Sequence, residues 1–442
     1  WTGFTLDEER ELLFVPTGSA TPDFYGGRRH GDNLFANSVL ALDARTGERK
    51  WHYQVWRHDI WDRDFPSPPT LVELVRDGTT IDGVAVTTKS GHLWLFDRDT
   101  GAPLYEVVEE TTLPSNLPGE APAPTQPVSA MAFTRQAFEL TNRSPEATTF
   151  VQELIKDFDL RPWAPPSLNG TLMYPGYDGG AEWGGSAFDP ATNRLILNAS
   201  EIGSVVQLHE IPVGHSNRGV YAERCASCHG LDLTGTAIGP SLVGVFDRIG
   251  RTEISAIVQD GRARMPPFDH LSEVQRRGVL RYLEAPGDTK VNDTATAEVR
   301  YAHGGYVWVR DHEGLPGNTP PWGTLNSIDL ASGDIAWQVP FGNYPGHEEL
   351  GFGAESYGGP IVTASGLIFI GATPDRKFRA YSTANGDMLW ETELPAAAYT
   401  TPVTYYVDGE QYVAISAGGG KGSGRSGSEY LAYRLAGSIS LE

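Results

Sequence analysis

One phrase returns along most of this chain and limits what it can fold into. It reads Leu40-Ala-Leu-Asp43-Ala-Arg-Thr-Gly47-Glu-Arg-Lys-Trp51, then Leu95-Phe-Asp97-Arg-Asp-Thr-Gly101. It comes back as Ala187-Phe-Asp189-Pro-Ala-Thr-Asn193, Ile328-Asp329-Leu-Ala-Ser-Gly333-Asp-Ile-Ala-Trp337 and Ala380-Tyr-Ser-Thr-Ala-Asn-Gly386-Asp-Met-Leu-Trp390. Each copy is a strand and a polar turn ending in Gly or Asn where a positive φ is needed. Most copies add a second strand ending in Trp. The spacing is about 55 residues once larger insertions are set aside, the period of propeller blades. One four-stranded blade cannot bury both of its faces, and stacking neighbours around an axis does so. The pattern predicts an all-β propeller whose recurrent Trp residues pack between blades. A closed ring has up to eight blades and five marks are visible. An eight-bladed fold is therefore expected, with about five blades here and roughly three N-terminal ones outside this chain.

Both cysteines lie in Cys225-Ala-Ser-Cys228-His229. A C-x-x-C-H run is the attachment site of a c-type haem. On a short helix the thiols at i and i+3 share a face and can add to the two haem vinyl groups. His229 then falls under the iron as proximal ligand. A thioether would complete the site from the other side, and Met265, one of four methionines, offers it in Gly261-Arg-Ala-Arg-Met265-Pro266-Pro267. A structural zinc site needs about four ligands, and the chain has no second cysteine pair. Residues 214–286 resemble a small all-α class I cytochrome c domain. Glu223-Arg-Cys225 opens it, Gly239-Pro240-Ser241-Leu242 follows as the loop near the proximal His, and Ser272–Leu283 reads as an amphipathic closing helix.

The formal net charge is 34 − 56 = −22, a field that repels nucleic acid and anionic membrane surfaces. It suits a basic electron-transfer partner or a salty habitat, and does not choose between them. No apolar run reaches membrane-spanning length, so no transmembrane segment is expected in this chain. The chain begins at Trp1 and not Met, so its natural start is expected upstream. Covalent haem implies export to a periplasmic or other extracytoplasmic compartment. Two excursions break the blade rhythm: residues 108–180, Pro-rich and partly helical at Phe150–Phe158, and residues 206–300, which hold the haem segment and its linkers. The expected divisions are a first propeller part (1–205), an inserted cytochrome domain (214–286) and a second propeller part (301–442).

The blade repeats resemble dehydrogenases dependent on pyrroloquinoline quinone (PQQ), in particular the branch of membrane glucose and quinate dehydrogenases. The stretches that carry the resemblance are Thr17-Gly-Ser-Ala-Thr-Pro-Asp23-Phe-Tyr-Gly-Gly27, His58-Asp-Ile-Trp61-Asp62-Arg-Asp64, Thr87-Thr-Lys89-Ser-Gly91, Glu182-Trp183-Gly184-Gly185 and Pro321-Trp322-Gly323. The resemblance implies that Asp62 is the base that takes the substrate hydroxyl proton. Lys89 then matches the cation that stabilises charge on the quinone oxygens, and Trp1 the floor on which the planar ring stacks. Glu182, Trp183 and Trp322 match positions along the ring edge, although Trp183 reads equally as a blade-packing residue.

A divalent ion would act as Lewis acid on the quinone, with Asp62, Ser19 and Asp64 as its candidate ligands. Ser19 stands where the family commonly places Asn, and its hydroxyl is a shorter and weaker ligand for a hard cation. Asp64 matches the extra carboxylate of lanthanide-using relatives, yet glucose-type members carry it too. Calcium is the expected ion, with another divalent ion or a lanthanide left open. With both cysteines used for haem, none remains for the adjacent-cysteine disulfide of simple alcohol dehydrogenases, which favours the sugar and polyol branch. The expected function is therefore a quinohaemoprotein that oxidises an alcohol, sugar or cyclic polyol and passes electrons singly through the haem. A cytochrome, a quinone or an oxidase would receive them. The alternative is a non-catalytic propeller, a binding or assembly module carrying an electron-transfer haem.

Overall fold

The computed structural model describes residues 2–212, 217–286, 299–421 and 424–435. Five antiparallel sheets carry the blade rhythm. The first is a four-stranded meander of Thr5–Asp7, Leu12–Pro16, Ser38–Asp43 and Arg49–Gln54. The second has Thr70–Arg76, Thr79–Thr87 and Leu93–Asp97. The fourth has Ile361–Val362, Leu367–Ile370, Lys377–Ser382 and Met388–Glu393. The fifth has Val403–Val407, Glu410–Gly419 and Ser426–Arg434.

The third sheet departs from the simple reading of the repeats. It joins Ser186–Asp189 and Arg194–Ser200 to Gly323–Asp329 and Ile335–Pro340, with Arg194 paired to Asp329 and Ser200 to Gly323. The marks at Asp189 and Asp329 therefore belong to one blade, and the fifth sheet carries no mark. The haem segment leaves from inside this blade, between its second and third strands, and not between two blades. Long-range pairing across the insertion decides this, and local spacing cannot reveal it.

The phrase itself has a physical reading. Asp43 Oδ1 accepts from the amides of Arg45 (3.0 Å) and Thr46 (2.9 Å), and Asp97 Oδ1 from that of Thr100 (2.8 Å). Asp329 Oδ1 accepts from the amide of Ala331 at 2.8 Å. An Asp that hydrogen-bonds to the backbone two or three residues on closes the turn, and the Gly takes the positive φ. The Trp then docks on the next sheet. Trp51 Nε1 donates to Arg98 O at 3.1 Å, and Trp337 Nε1 to Thr383 O at 2.9 Å. Each indole lies against the next turn's glycine, so a Cβ on Gly101 would come 2.5 Å from Trp51 and one on Gly386 2.7 Å from Trp337.

In the first excursion a helix spans Pro145–Ile155, earlier than Phe150–Phe158, because Ser144 caps it and Pro145 suits its first turn. It buries Val151 and Ile155 against Leu172, Val205 and Val309. The second excursion rises on a two-stranded ribbon, Leu208–Pro212 with Val299–His303. Above it lie helices at Asn217–Arg224, Ala226–His229, Val245–Arg248, Arg251–Asp260 and Glu273–Glu284. Ser272 and Gln275 form a capping box on the last, as its amphipathic pattern predicts. It packs on the first of these helices around a shared core of Tyr221, Val279, Leu280 and Leu283. No helix among the described residues is long and apolar enough to cross a membrane.

Candidate functional site

A cavity of about 450 Å³ opens where loops from several sheets meet the haem segment. The loop after Leu12–Pro16 brings Ser19 and Asp23, the segment after the first sheet brings Asp62 and Asp64, and the turn after Thr79–Thr87 brings Lys89. Glu182 and Trp183 enter ahead of the third sheet, Tyr306 from the return of the ribbon, and Lys421 from the last blade. Ala237, Ile238 and Arg264 of the haem segment complete the wall.

Asp59 organises the Asp62 loop. Its Oδ1 accepts from the Trp61 amide at 2.8 Å, and its Oδ2 from the Arg63 amide at 2.7 Å and Asn37 Nδ2 at 2.9 Å. The Ser19 hydroxyl also donates to Asp59 Oδ2. The amides on either side of Asp62 are thus tied down, and Asp62 itself is held at φ 55°. That left-handed conformation is uncommon for a non-glycine residue and persists only where the surroundings impose it.

Lys89 Nζ lies 3.0 Å from both Asp62 oxygens and 3.0 Å from Asp64 Oδ2. Asp64 Oδ1 accepts from the Ser19 amide at 2.5 Å. Burial, with the added charges of Asp64, Asp23 and Asp59, keeps Asp62 well above the ordinary carboxylate range despite Lys89. Burial pushes the same way on Asp64, but the Lys89 ammonium and the Ser19 amide outweigh it and hold the acid at about 2. Burial raises Asp23 to about 6, helped by Asp59 and Asp64. Burial and Asp178 raise Glu182 to about 7 against the pull of Lys89 and Lys421. The cluster therefore holds Asp64 as a strong anion beside Asp62, whose upward shift makes it the stronger base of the two.

The sequence-derived residues do not all meet here. Ser19, Asp62, Asp64, Lys89, Glu182 and Trp183 line the cavity. Trp183 is fixed by donating to Tyr399 O at 2.7 Å and by stacking on Tyr357 at 5.0 Å. Trp322 is elsewhere: it is 1% exposed, packs with Leu315, Tyr344 and Phe352, and donates to Asn318 O at 2.8 Å. Its bulk belongs to a core cluster and not to the cavity wall. Trp1 lies outside the described residues.

The cavity's chemistry fits a planar, anionic quinone, with aromatic walls at Trp183 and Tyr306 and cations at Lys89 and Lys421. A metal fits less well. Asp62, Asp64 and Ser19 are hard oxygen donors of the right kind, but they are turned to Lys89, a backbone amide and Asp59. Among the described residues no group of three or more His, Cys, Asp or Glu side chains is arranged to hold a metal ion.

In the haem segment Cys225 and Cys228 are unpaired, and Cys225 starts the short helix that ends at His229. His229 Nδ1 lies 2.8 Å from Pro240 O. A ring nitrogen tied to a backbone carbonyl leaves Nε2 to act as ligand, the usual orienting device of metal-bound His. The Gly239-Pro240 turn has to approach closely, since a Cβ on Gly239 would meet Cys228 O at 2.5 Å. Met265 packs on the same apolar cluster as Cys225. Two free thiols, an oriented imidazole and a thioether on one core suit a covalent haem.

Sequence reading singled out neither Asp59 as organiser nor Arg264, Tyr306 and Lys421 as cavity residues. Asp59 follows His58 in the motif that runs to Asp64, so its signal is present in the sequence. The other three come from segments far apart in sequence, with no local mark.

Residues 1–247 and 251–413 match the family described as glucose/ethanol/alcohol dehydrogenase, beta-propeller domain. Residues 214–283 match a cytochrome family described as cytochrome C oxidase, cbb3-type, subunit III. The chain is 30% identical to the quinate/shikimate dehydrogenase (quinone) of Acinetobacter baylyi, over 98% of this chain and 48% of that protein. It is 29% identical to the quinoprotein glucose dehydrogenase of Escherichia coli, over 98% and 49%. The chain thus spans about half the length of these relatives. Its fold is shared with the quinohemoprotein alcohol dehydrogenase of Comamonas testosteroni, at a TM-score of 0.54 and 19% identity, over 98% of this chain and 47% of that one. With blades, motif loops and cytochrome segment in agreement, the chain belongs to the family of PQQ-dependent dehydrogenase β-propellers and carries a c-type cytochrome segment within it.

Proposed function

We propose that the protein is a quinohaemoprotein dehydrogenase of the periplasm or another exported compartment, which oxidises a CH–OH group of an alcohol, sugar or cyclic polyol and delivers the electrons through its haem to an external acceptor. The observation that carries this reading is the contact of Lys89 with Asp62 in a cavity that residues of the haem segment also line. PQQ, when bound, supplies the two-electron oxidant, and Lys89, Lys421, Glu182 and Trp183 are the residues that would hold it. Asp62 accepts the hydroxyl proton at a carboxylate oxygen. Asp59 keeps that oxygen aimed into the cavity through the flanking amides. Lys89 balances the negative charge that gathers beside Asp62, where low dielectric makes a fixed cation effective.

Cys225 and Cys228 would attach the haem, and His229 and Met265 would ligate its iron. The oxygen donors Asp62, Asp64 and Ser19 have the chemistry of a calcium site, but each is engaged by Lys89, a backbone amide or Asp59. The formal net charge of −22 is compatible with a basic acceptor protein. The test is an absorbance and mass analysis of the full-length protein reconstituted with PQQ and calcium. The expected result is a mass increase of one haem and haem reduction on adding a polyol. A haem that extracts with acid–acetone, or one that stays oxidised with every alcohol, sugar and polyol tried, overturns the reading.

A further inference from the structure

The cavity has a charge asymmetry that the proton-transfer chemistry does not use. Around Lys89 carboxylates outnumber cations: Asp23, Asp62 and Asp64 all line the wall there. Arg264 and Lys421 bring the opposite sign to the same cavity. Lys421 Nζ lies 3.3 Å from Asp178 Oδ1 and 3.5 Å from the ring centre of Tyr357. Arg264 reaches the same blade loop, since a Cβ on Gly420 would stand 3.9 Å from its Nη2. Arg264 forms no ion pair among the described residues, whereas its neighbour Arg262 is paired with Glu253. Two cations thus line the cavity, Lys421 paired with Asp178 and near Glu182, and Arg264 with no ion pair among the described residues. Arg264 directly precedes Met265 in the haem segment, so one of the two belongs to a different structural unit from the other.

We propose that Arg264 and Lys421 together bind a carboxylate of the molecule that occupies this cavity, so that the haem segment takes part in recognising the ligand. The inference rests on the reading of this cavity as the PQQ and substrate site. Its chemistry follows from the side chains. The guanidinium presents a planar fork that matches a carboxylate in bidentate fashion, and the ammonium adds a compact charge. A neutral sugar or simple alcohol offers Arg264 no counter-charge and leaves Lys421 with Asp178 alone. A hydroxy acid does not, and neither does PQQ, which is itself a tricarboxylic acid. The shared chemistry is a carboxylate, and two sources can supply it.

The test uses the full-length haem-loaded protein with Arg264→Gln, Arg264→Lys and Lys421→Gln. PQQ affinity is read from quenching of tryptophan fluorescence. Quinate, as the acidic probe, is compared with inositol, as a neutral cyclic polyol, by KM or, where either is not oxidised, by its inhibition constant. Losing a charge-assisted hydrogen bond is expected to weaken binding about ten- to a hundredfold. A loss for quinate alone, with inositol unmoved, assigns the carboxylate to the substrate. A loss for PQQ assigns it to the cofactor, and in either case Arg264→Lys should restore part of it. The haem spectrum shows whether Met265 is disturbed, and where it is, Arg264→Lys, which keeps the charge, decides. Affinities within twofold of wild type for both PQQ and quinate in Arg264→Gln and Lys421→Gln overturn the inference. A wild-type protein that binds no PQQ at all overturns the underlying reading and the inference with it.

Discussion

Lys89 and Asp62 face each other with the ammonium 3.0 Å from each carboxylate oxygen, and both side chains are buried. Twenty-seven residues separate them in sequence, and two different loops bring them together. A buried cation between Asp62 and Asp64 lowers the cost of keeping either acid ionised, and it leaves Asp62 the readier of the two to take a proton.

Asp62→Asn should therefore leave PQQ binding intact and lower turnover by about two to four orders of magnitude, the usual worth of a positioned base. Steady-state kinetics beside a PQQ titration checks it. Near wild-type turnover would move the role to another carboxylate of the cluster.

Asp59 acts through the backbone. Its carboxylate accepts from the Trp61 and Arg63 amides, Asn37 and Ser19, and an Asn side chain has one acceptor oxygen for these donors. Asp59→Asn should cost about 1–3 kcal/mol in stability for donors left unsatisfied, lower kcat, and move the pH at which activity half-develops downward, because the Asp59 charge helps to hold Asp62 up. A kcat unchanged in this variant would mean that the Asp62 loop does not depend on Asp59 for its position.

Glu182 links the site to pH. Its folded-state pKa of about 7 exceeds the 4.5 of an ordinary glutamate, owing to burial and Asp178. The folded protein thus binds this proton more tightly than the unfolded chain does. The associated stability is present below about pH 4.5 and is lost as pH rises through about 7. In protein stripped of PQQ and metal, the thermal midpoint should fall between pH 5 and 8 by a margin that Glu182→Gln removes. A slope unchanged in that variant would exclude Glu182 as its source.

The blade contacts make a paired prediction. Gly47 and Gly101 both have positive φ, 75° and 71°, but a Cβ on Gly47 meets nothing within 4 Å whereas one on Gly101 comes 2.5 Å from the Trp51 ring. Gly47→Ala should cost about 1–2 kcal/mol, the backbone cost alone. Gly101→Ala should cost clearly more, because the Trp51 ring must also shift. Equal shifts in thermal midpoint would mean that Trp51 does not depend on the close approach.

For the haem, Met265→Ala should lower the reduction potential, because the thioether ligand favours ferrous iron. Potentiometric titration of the full-length protein reads it directly. An unchanged potential would remove Met265 from the iron.

How much was legible beforehand follows the range of the interactions. The turn phrase encodes itself: Asp43 bonds to amides two and three residues on, and Gly47 supplies the φ that no β-branched residue adopts easily. Cys225, Cys228 and His229 are likewise one helical turn, so their spacing alone predicts what they can attach. Asp62 and Lys89 each sit in a short motif that marks them in the sequence, and the fold brings both to the cavity.

Trp322 misled for the opposite reason. Its Pro-Trp-Gly motif marks the entry to a strand, and only packing against Phe352 and Tyr344 decides that the ring is core and not cavity wall. The blade that contains the insertion was hidden in the same way, because Arg194 finds Asp329 across 135 residues. Arg264 and Lys421 share a cavity only because the ribbon from Leu208–Pro212 to Val299–His303 holds the haem segment over the blades. Sequence alone determined the turns, the attachment motif and the family, since these depend on residues a few positions apart. Tertiary structure decided which side chains share a cavity and with what charge, since burial and Coulomb forces act through space between segments whose separation along the chain carries no signal.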